Sequence, residues 1–288
     1  MLLSLAVLVV AAYAVAWALG NPRPDHPYFT EFLADRVHVQ AHAGADHLWP
    51  GNTMMAFRGS AALGVDVLEL DSQITSDGVI VVIHDDTVDR TTDGTGRVDS
   101  MTLDDIQQLD AAANWAGQGG DFPHRGSGVV VPTLREVLET FGDLGINIDM
   151  KSSDPRVPRA TCDLIRETGR ELSVMVASFV QTNLHEFRRL CPEVATSAGP
   201  DEVRNFLILN LLGLGRATSP AAEAFQVPVR QGSIPVVIRP FVRGLSERNV
   251  QLDVWTINDE SEMRRLFDLG VRGIITDRPD LALGILGR

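Results

Sequence analysis

The stretch that decides the fold is Val65-Asp66-Val67-Leu68-Glu69-Leu70-Asp71. Side chains of an extended strand alternate between faces, so Glu69 and Asp71, two apart in an apolar run, point the same way. Two carboxylates therefore converge at the end of a buried strand, where like charges repel and desolvation opposes ionisation. A divalent cation is the simplest compensation. A second apolar run, Val79-Ile80-Val81-Val82-Ile83, leads into His84-Asp85-Asp86. A histidine at a strand exit beside an acid pair points to acid–base chemistry at a metal centre.

Working outward, residues 37–42 read as a strand, 52–63 as a helix with a Met/Phe/Ala face, and 72–78 as a connection too short for a helix. Thr133 with Glu136 forms a capping-box pattern. Strands follow at 146–151, 174–179, 194–198, 224–227, 253–257 and 272–276, separated by helical segments. Such alternation implies a parallel sheet. No glycine-rich dinucleotide fingerprint follows the first strand, and the polar candidates lie at the C-terminal ends of several strands. Both features favour an α/β fold of the closed (β/α)8 TIM-barrel type over an open doubly wound sheet. The pattern yields one strand candidate more than a barrel holds, so one of them lies outside it. The barrel domain is expected over residues 37–288, with an irregular insertion at about 86–132.

The chain has 288 residues, 44% of them hydrophobic, and a formal charge of −13. That charge argues against nucleic-acid binding, which needs a basic face. No obligate protein partner is implied. The two cysteines, Cys162 and Cys191, form no CxxC pattern and are expected as buried thiols, with a single disulfide as the rival. Residues 1–20 carry no charged side chain, and about 20 apolar residues span a bilayer core. With no basic n-region, the segment reads as an uncleaved transmembrane helix rather than a signal peptide. Residues 21–36 read as a linker. The expected location is thus the membrane, through a single-pass N-terminal anchor, with the side open.

His42 ends the first strand, Glu69 and Asp71 the second, His84 the third, and Asp149 and Lys151 the fourth. Glu69, Asp71 and Asp149 make an all-oxygen set suited to one divalent cation, Mg2+, Ca2+ or Mn2+, rather than zinc. Lys151 is the only lysine among 25 basic residues. Its compact ammonium suits contact with an anionic oxygen. His42 and His84 can act as general base and general acid. An anion clamp between an acid and a base is what phosphoester cleavage needs.

With these residues in hand, the chain resembles the glycerophosphodiester phosphodiesterase family, within the phospholipase C-like TIM-barrel phosphodiesterases, and specifically a membrane-anchored branch. The resemblance rests on Ala41-His42-Ala43-Gly44, Pro50-Gly51-Asn52-Thr53, Glu69-Leu70-Asp71, Thr75-Ser76-Asp77-Gly78, His84-Asp85, Arg90-Thr91-Thr92 and Pro132-Thr133-Leu134. It continues through Asp149-Met150-Lys151, Val254-Trp255-Thr256-Ile257-Asn258 and Gly273-Ile274-Ile275-Thr276-Asp277-Arg278-Pro279. It implies metal binding by Glu69, Asp71 and Asp149, catalysis by His42 and His84, and Trp255 in the substrate pocket. It also implies hydrolysis of a glycerophosphodiester to glycerol 3-phosphate and an alcohol. Lysophospholipids are a further candidate substrate for an anchored enzyme. Three departures stand out: Ala43 where the family has arginine, Gly51 where it has glutamate, and Asp149 where it has the longer glutamate. Arg125, in the insertion, is the expected source of the missing guanidinium. The rival readings are a non-catalytic binding barrel and a lyase-type enzyme that releases a cyclic phosphate.

Overall fold

The computed structural model describes residues 20–288. The anchor expected over residues 1–20 lies, Gly20 apart, outside the described residues. Among those described, no helix is long and apolar enough to cross a membrane.

Eight parallel strands form the barrel: β1 (His38–Ala41), β2 (Val67–Ile74), β4 (Gly145–Met150), β5 (Val174–Ala177), β6 (Ala195–Thr196), β7 (Ala224–Pro228), β10 (Gln251–Trp255) and β11 (Gly273–Thr276). A parallel bridge from Ser197 to Ala224 closes β6 onto β7. The main outer helices are α1 (Met54–Leu63), α3 (Leu134–Thr140), α4 (Val157–Glu167), α5 (Gln181–Leu190), α6 (Pro200–Leu211), α7 (Arg239–Ser246), α8 (Glu260–Leu269) and α9 (Pro279–Ile285). Residues such as Leu68, Leu70, Ile146, Ile148 and Val254 form one large core with this layer. Alternation leaves Glu69, Asp71, Asn147, Asp149 and Asp253 on the opposite strand faces, toward the barrel axis.

The supernumerary strand is β3 (Ile80–Val82). It runs antiparallel to the far end of β2, pairing Ser72 with Val82 and Ile74 with Ile80. His84 therefore does not end a barrel strand, which corrects the expectation. A run as short as Val79–Ile83 reads the same in either direction. The hairpin turns back at Thr75–Gly78 and returns the chain to the rim. The insertion that follows, with the short helix α2 (Leu103–Ile106), has its own core of Val81, Ile83, Val88, Val98, Ile106, Ala111 and Val131. A second small hairpin, β8 (Arg230–Gln231) and β9 (Ile234–Pro235), follows β7.

Two features of the closed end were not anticipated. Residues 21–36, read as a linker, pack onto the barrel. Tyr28 and Leu33, fully or almost fully buried, meet Val67, Met175, Ala195 and Ala224 across its bottom. Above this plug lies a buried polar chain. His38 Nε2 is 3.1 Å from Asp253 Oδ1, Gln40 Nε2 donates to Asp253 Oδ2 at 2.8 Å, and Asn147 Nδ2 donates to Gln40 Oε1 at 2.9 Å. Gly273 makes room for it, since a Cβ there would collide with both Asp253 and His38.

Cys162 and Cys191 form a disulfide between α4 and the end of α5, which corrects the expectation of free thiols. The two helices pack side by side, and this brings together cysteines 29 residues apart.

Candidate active site

The acids come together as their strands dictate. Asp71 on β2 and Asp149 on β4 are register partners, and Glu69 lies one step below on the same face. All three are nearly buried. The Ala43 N–H donates to Glu69 Oε2 at 2.8 Å. That contact depends on the turn after β1, where Ala43, Gly44 and Ala45 all take positive φ (48°, 76° and 74°). A side chain at Gly44 would strike Phe57. Asn52 grips Asp71 twice: its Nδ2 donates to Asp71 Oδ2 at 2.8 Å, and its Oδ1 accepts from the Asp71 N–H at 3.1 Å.

Lys151 lies among these acids. Its Nζ donates to Asp149 Oδ2 at 2.6 Å and stands 3.1 Å from Asp71 Oδ1. Burial lowers its pKa, but Asp149 and Asp71 outweigh that and hold it above the usual lysine value. One ammonium does not balance three acids. Burial, with Asp71 beside it, pushes Glu69 up to about 7. Burial also raises Asp149, against the pull of Lys151. Asp149 Oδ1 is buried and accepts no hydrogen bond, and Asp71 Oδ1, also buried, has only the Lys151 ammonium beside it. Anionic oxygens left this way fit a hard cation in charge and donor type. As the side chains stand, with Lys151 between Asp149 and Asp71, no three His, Cys, Asp or Glu among the described residues are grouped to hold an ion.

The two histidines share a design. His42 Nδ1 is 2.7 Å from Asp277 Oδ1, just past β11, and Asn258 Nδ2 donates to Asp277 Oδ2 at 2.7 Å. His84 Nδ1 is 2.7 Å from Asp85 Oδ1, and Arg90 donates to both Asp85 oxygens. A carboxylate at Nδ1 fixes the proton there and leaves Nε2 for chemistry. Burial lowers the pKa of His42, but Glu69 and Asp277 outweigh it and raise it to about 9. Arg90 holds Asp85 below the usual carboxylate range, against burial and with help from His84.

Trp255, at the end of β10, stacks edge-on against Phe179 at 5.9 Å, and Lys151 Nζ lies 5.5 Å from the Phe179 ring. These aromatics form one wall of the mouth. Arg125 is not brought to the acids. Its Nε donates to Ala113 O at 2.6 Å and its guanidinium lies over the Phe122 ring, so the insertion itself engages it. Arg90 is held chiefly by Asp85, with weaker attraction from Asp46 and Asp71. Asp46 answers the Gly51 question: its Oδ1 accepts from the Gly51 N–H at 2.9 Å, and a Cβ at 51 would run into that carboxylate. Asp46, Gly51, Arg90 and Trp115 line a cavity of about 290 Å3, and the Trp115 indole ties the insertion to Asp46 O.

Sequence reasoning had no role for Asn52, Asp46, Arg90, Phe179, Asn258 or Asp277. Asp277 and Asn258 stood in quoted motifs, but 235 residues separate Asp277 from the histidine it holds.

The model of the glycerophosphoryl diester phosphodiesterase family matches residues 42–281. A glycerophosphodiester phosphodiesterase of Caldanaerobacter subterraneus is 33% identical over 259 residues, covering 86% of this chain and 97% of the relative. One of Bacillus subtilis is 31% identical over 268 residues, covering 86% and 85%. The crystal structure of an Agrobacterium tumefaciens glycerophosphodiester phosphodiesterase superposes with a TM-score of 0.68 at 27% identity, over 85% of this chain and 99% of that one. A barrel with this rim, matched by the family model over most of its length, belongs to the glycerophosphoryl diester phosphodiesterase family of phosphoric diester hydrolases.

Proposed function

We propose that the protein hydrolyses glycerophosphodiesters to glycerol 3-phosphate and an alcohol by two-histidine acid–base catalysis. The enzyme class follows from family membership; the residue roles are our reading. The observation that carries it is the pair of Asp-anchored imidazoles, His42–Asp277 and His84–Asp85, flanking a buried carboxylate and lysine cluster. His42, kept protonated by the carboxylates beside it, gives a proton to the leaving alkoxide. The more exposed His84 takes one from the attacking water. Lys151 and Arg90 face the phosphate as cations, with Arg90 in place of the arginine missing at 43. Trp255 and Phe179 bracket the glycerol side.

Glu69, Asp71 and Asp149 would hold one divalent cation, and the buried, unpartnered Oδ1 of Asp149 beside the Asp71 Oδ1 that meets only Lys151 supports that assignment. Bound there, it would supply positive charge against the negative charge that builds on the phosphoryl oxygens. The Cys162–Cys191 disulfide favours an oxidising compartment, so we place the barrel outside the cytoplasm, tethered by the uncharged residues 1–19.

The test is release of glycerol 3-phosphate from glycerophosphocholine, with EDTA and with Mg2+, Ca2+ or Mn2+ returned. Activity should vanish in EDTA, recover with a divalent ion, and fall about 10²- to 10⁴-fold in His84→Ala. Full turnover in EDTA would remove the metal assignment, and full turnover by His84→Ala the catalytic one. 31P NMR should show a monoester; a cyclic phosphate would make the enzyme a lyase.

A further inference from the structure

We propose that the outer face of the C-terminal half of α6 rests on a lipid surface, so that the barrel docks by its closed-end corner with its mouth turned away. This rests on the reading that residues 1–19 anchor the chain.

An outer helix of a soluble barrel should be polar on its solvent side. The outer stripe of α6 instead runs Arg204, Ile208, Leu211, Leu212, at spacings of one and two turns. Ile208, Leu211 and Leu212 are 49%, 59% and 68% exposed. Phe206 of the same helix is buried against Phe225 and Phe241, so the helix is apolar on both sides at this end.

The second observation is the path of residues 20–23. Gly20 packs against the backbone of Arg216 and Ala217, and the Asn21 N–H donates to Ser219 Oγ at 3.1 Å. The Arg23 N–H donates to Arg248 O, at the foot of β10. Gly20, which joins the uncharged segment of residues 1–19 to the barrel, thus sits against residues only a few positions from Leu212. A bilayer holding that segment meets this corner.

The occupant is lipid rather than residues 1–19 folded back. That segment is apolar on every side, and one stripe of three side chains could cover only one side of it. Charge agrees. Residues 200–250 carry six arginines against four carboxylates, in a chain of formal charge −13. Arg243 of the neighbouring α7 is exposed, and a net-basic sector suits anionic headgroups.

There is a consequence for substrate. α6 starts at the mouth and ends at the closed end, and its 12 residues span about 18 Å. The acids open away from the bilayer, so water-soluble diesters reach them more readily than lysophospholipids embedded in it.

The experiment uses the full chain in phosphatidylethanolamine/phosphatidylglycerol vesicles. Because the two native cysteines are paired, Ile208→Cys, Leu211→Cys or Leu212→Cys each adds a single free thiol for a nitroxide. Ser100→Cys, on the insertion, is the aqueous control. We expect the ratio of oxygen to nickel-chelate accessibility to be several-fold higher at the three α6 sites than at Ser100→Cys. If the chain floats with the vesicles but the α6 labels match the control, docking is overturned while anchoring stands. Labels shielded from both reagents would mean that protein covers the face, which also overturns it. A chain that does not float overturns both readings.

Discussion

Strand β1 carries an aspartate-paired histidine at each end. At the closed end His38 meets Asp253, both side chains nearly inaccessible, and Gln40 and Asn147 continue the network. At the mouth His42 meets Asp277, with about a third of the imidazole open to solvent. Residue types match; the ring nitrogen used (Nε2 of His38, Nδ1 of His42) and the surroundings differ. Inside the barrel near the closed end the buried atoms without a hydrogen bond are Tyr28 Oη and Asn147 Oδ1, both neutral, with the cationic Arg23 Nε at its outer foot; at the mouth Asp149 Oδ1 has no partner and Asp71 Oδ1 has only the Lys151 ammonium. A neutral orphan costs roughly 1–3 kcal/mol, and an anionic one costs more. The closed end is therefore built to be left alone, and the mouth is built to accept charge.

Breaking each pair should separate stability from activity. Asp253→Ala leaves His38 and Gln40 buried without their acceptor. It should cost about 3–5 kcal/mol in urea unfolding, the range for removing one partner of a buried pair. Asp277→Asn should barely move the unfolding midpoint, because the site is partly open. It should lower kcat/KM about 10- to 100-fold by releasing the His42 tautomer. If Asp277→Asn destabilised the fold as much as Asp253→Ala, the contrast between the two ends would be lost.

The smallest effect is a titration. In EDTA, His42 should titrate near 9 by histidine NMR, up from 6.5. The sign follows: the raised pKa stabilises the ion-free fold fully below about pH 6.5 and is lost as pH rises through about 9. Adding Ca2+ or Mg2+ should lower that pKa, because charge on Glu69 and Asp71 contributes to raising it. A His42 pKa unmoved by saturating divalent ion would place the cation elsewhere.

Much of the site was legible because strand periodicity is local. Glu69, Asp71, Asp149 and Lys151 lie two apart within their strands, and that spacing alone puts each pair on one face. Other features were not legible for physical reasons. Val79–Ile83 carries no mark of strand direction, so the antiparallel return of His84 was missed. Arg125 looked available because its charge is visible in sequence and its bond to the Ala113 carbonyl is not. The disulfide depended on two helices packing side by side.

The sequence by itself determined an alternating α/β chain with acids, histidines and one lysine at strand ends, because alternation and side-chain chemistry need only near neighbours. Tertiary structure alone decided which aspartate holds which histidine, that Asp46 stands where a side chain at 51 would begin, and that the apolar stripe of α6 faces outward. Those are contacts across tens or hundreds of residues, and only closure of the barrel brings them together.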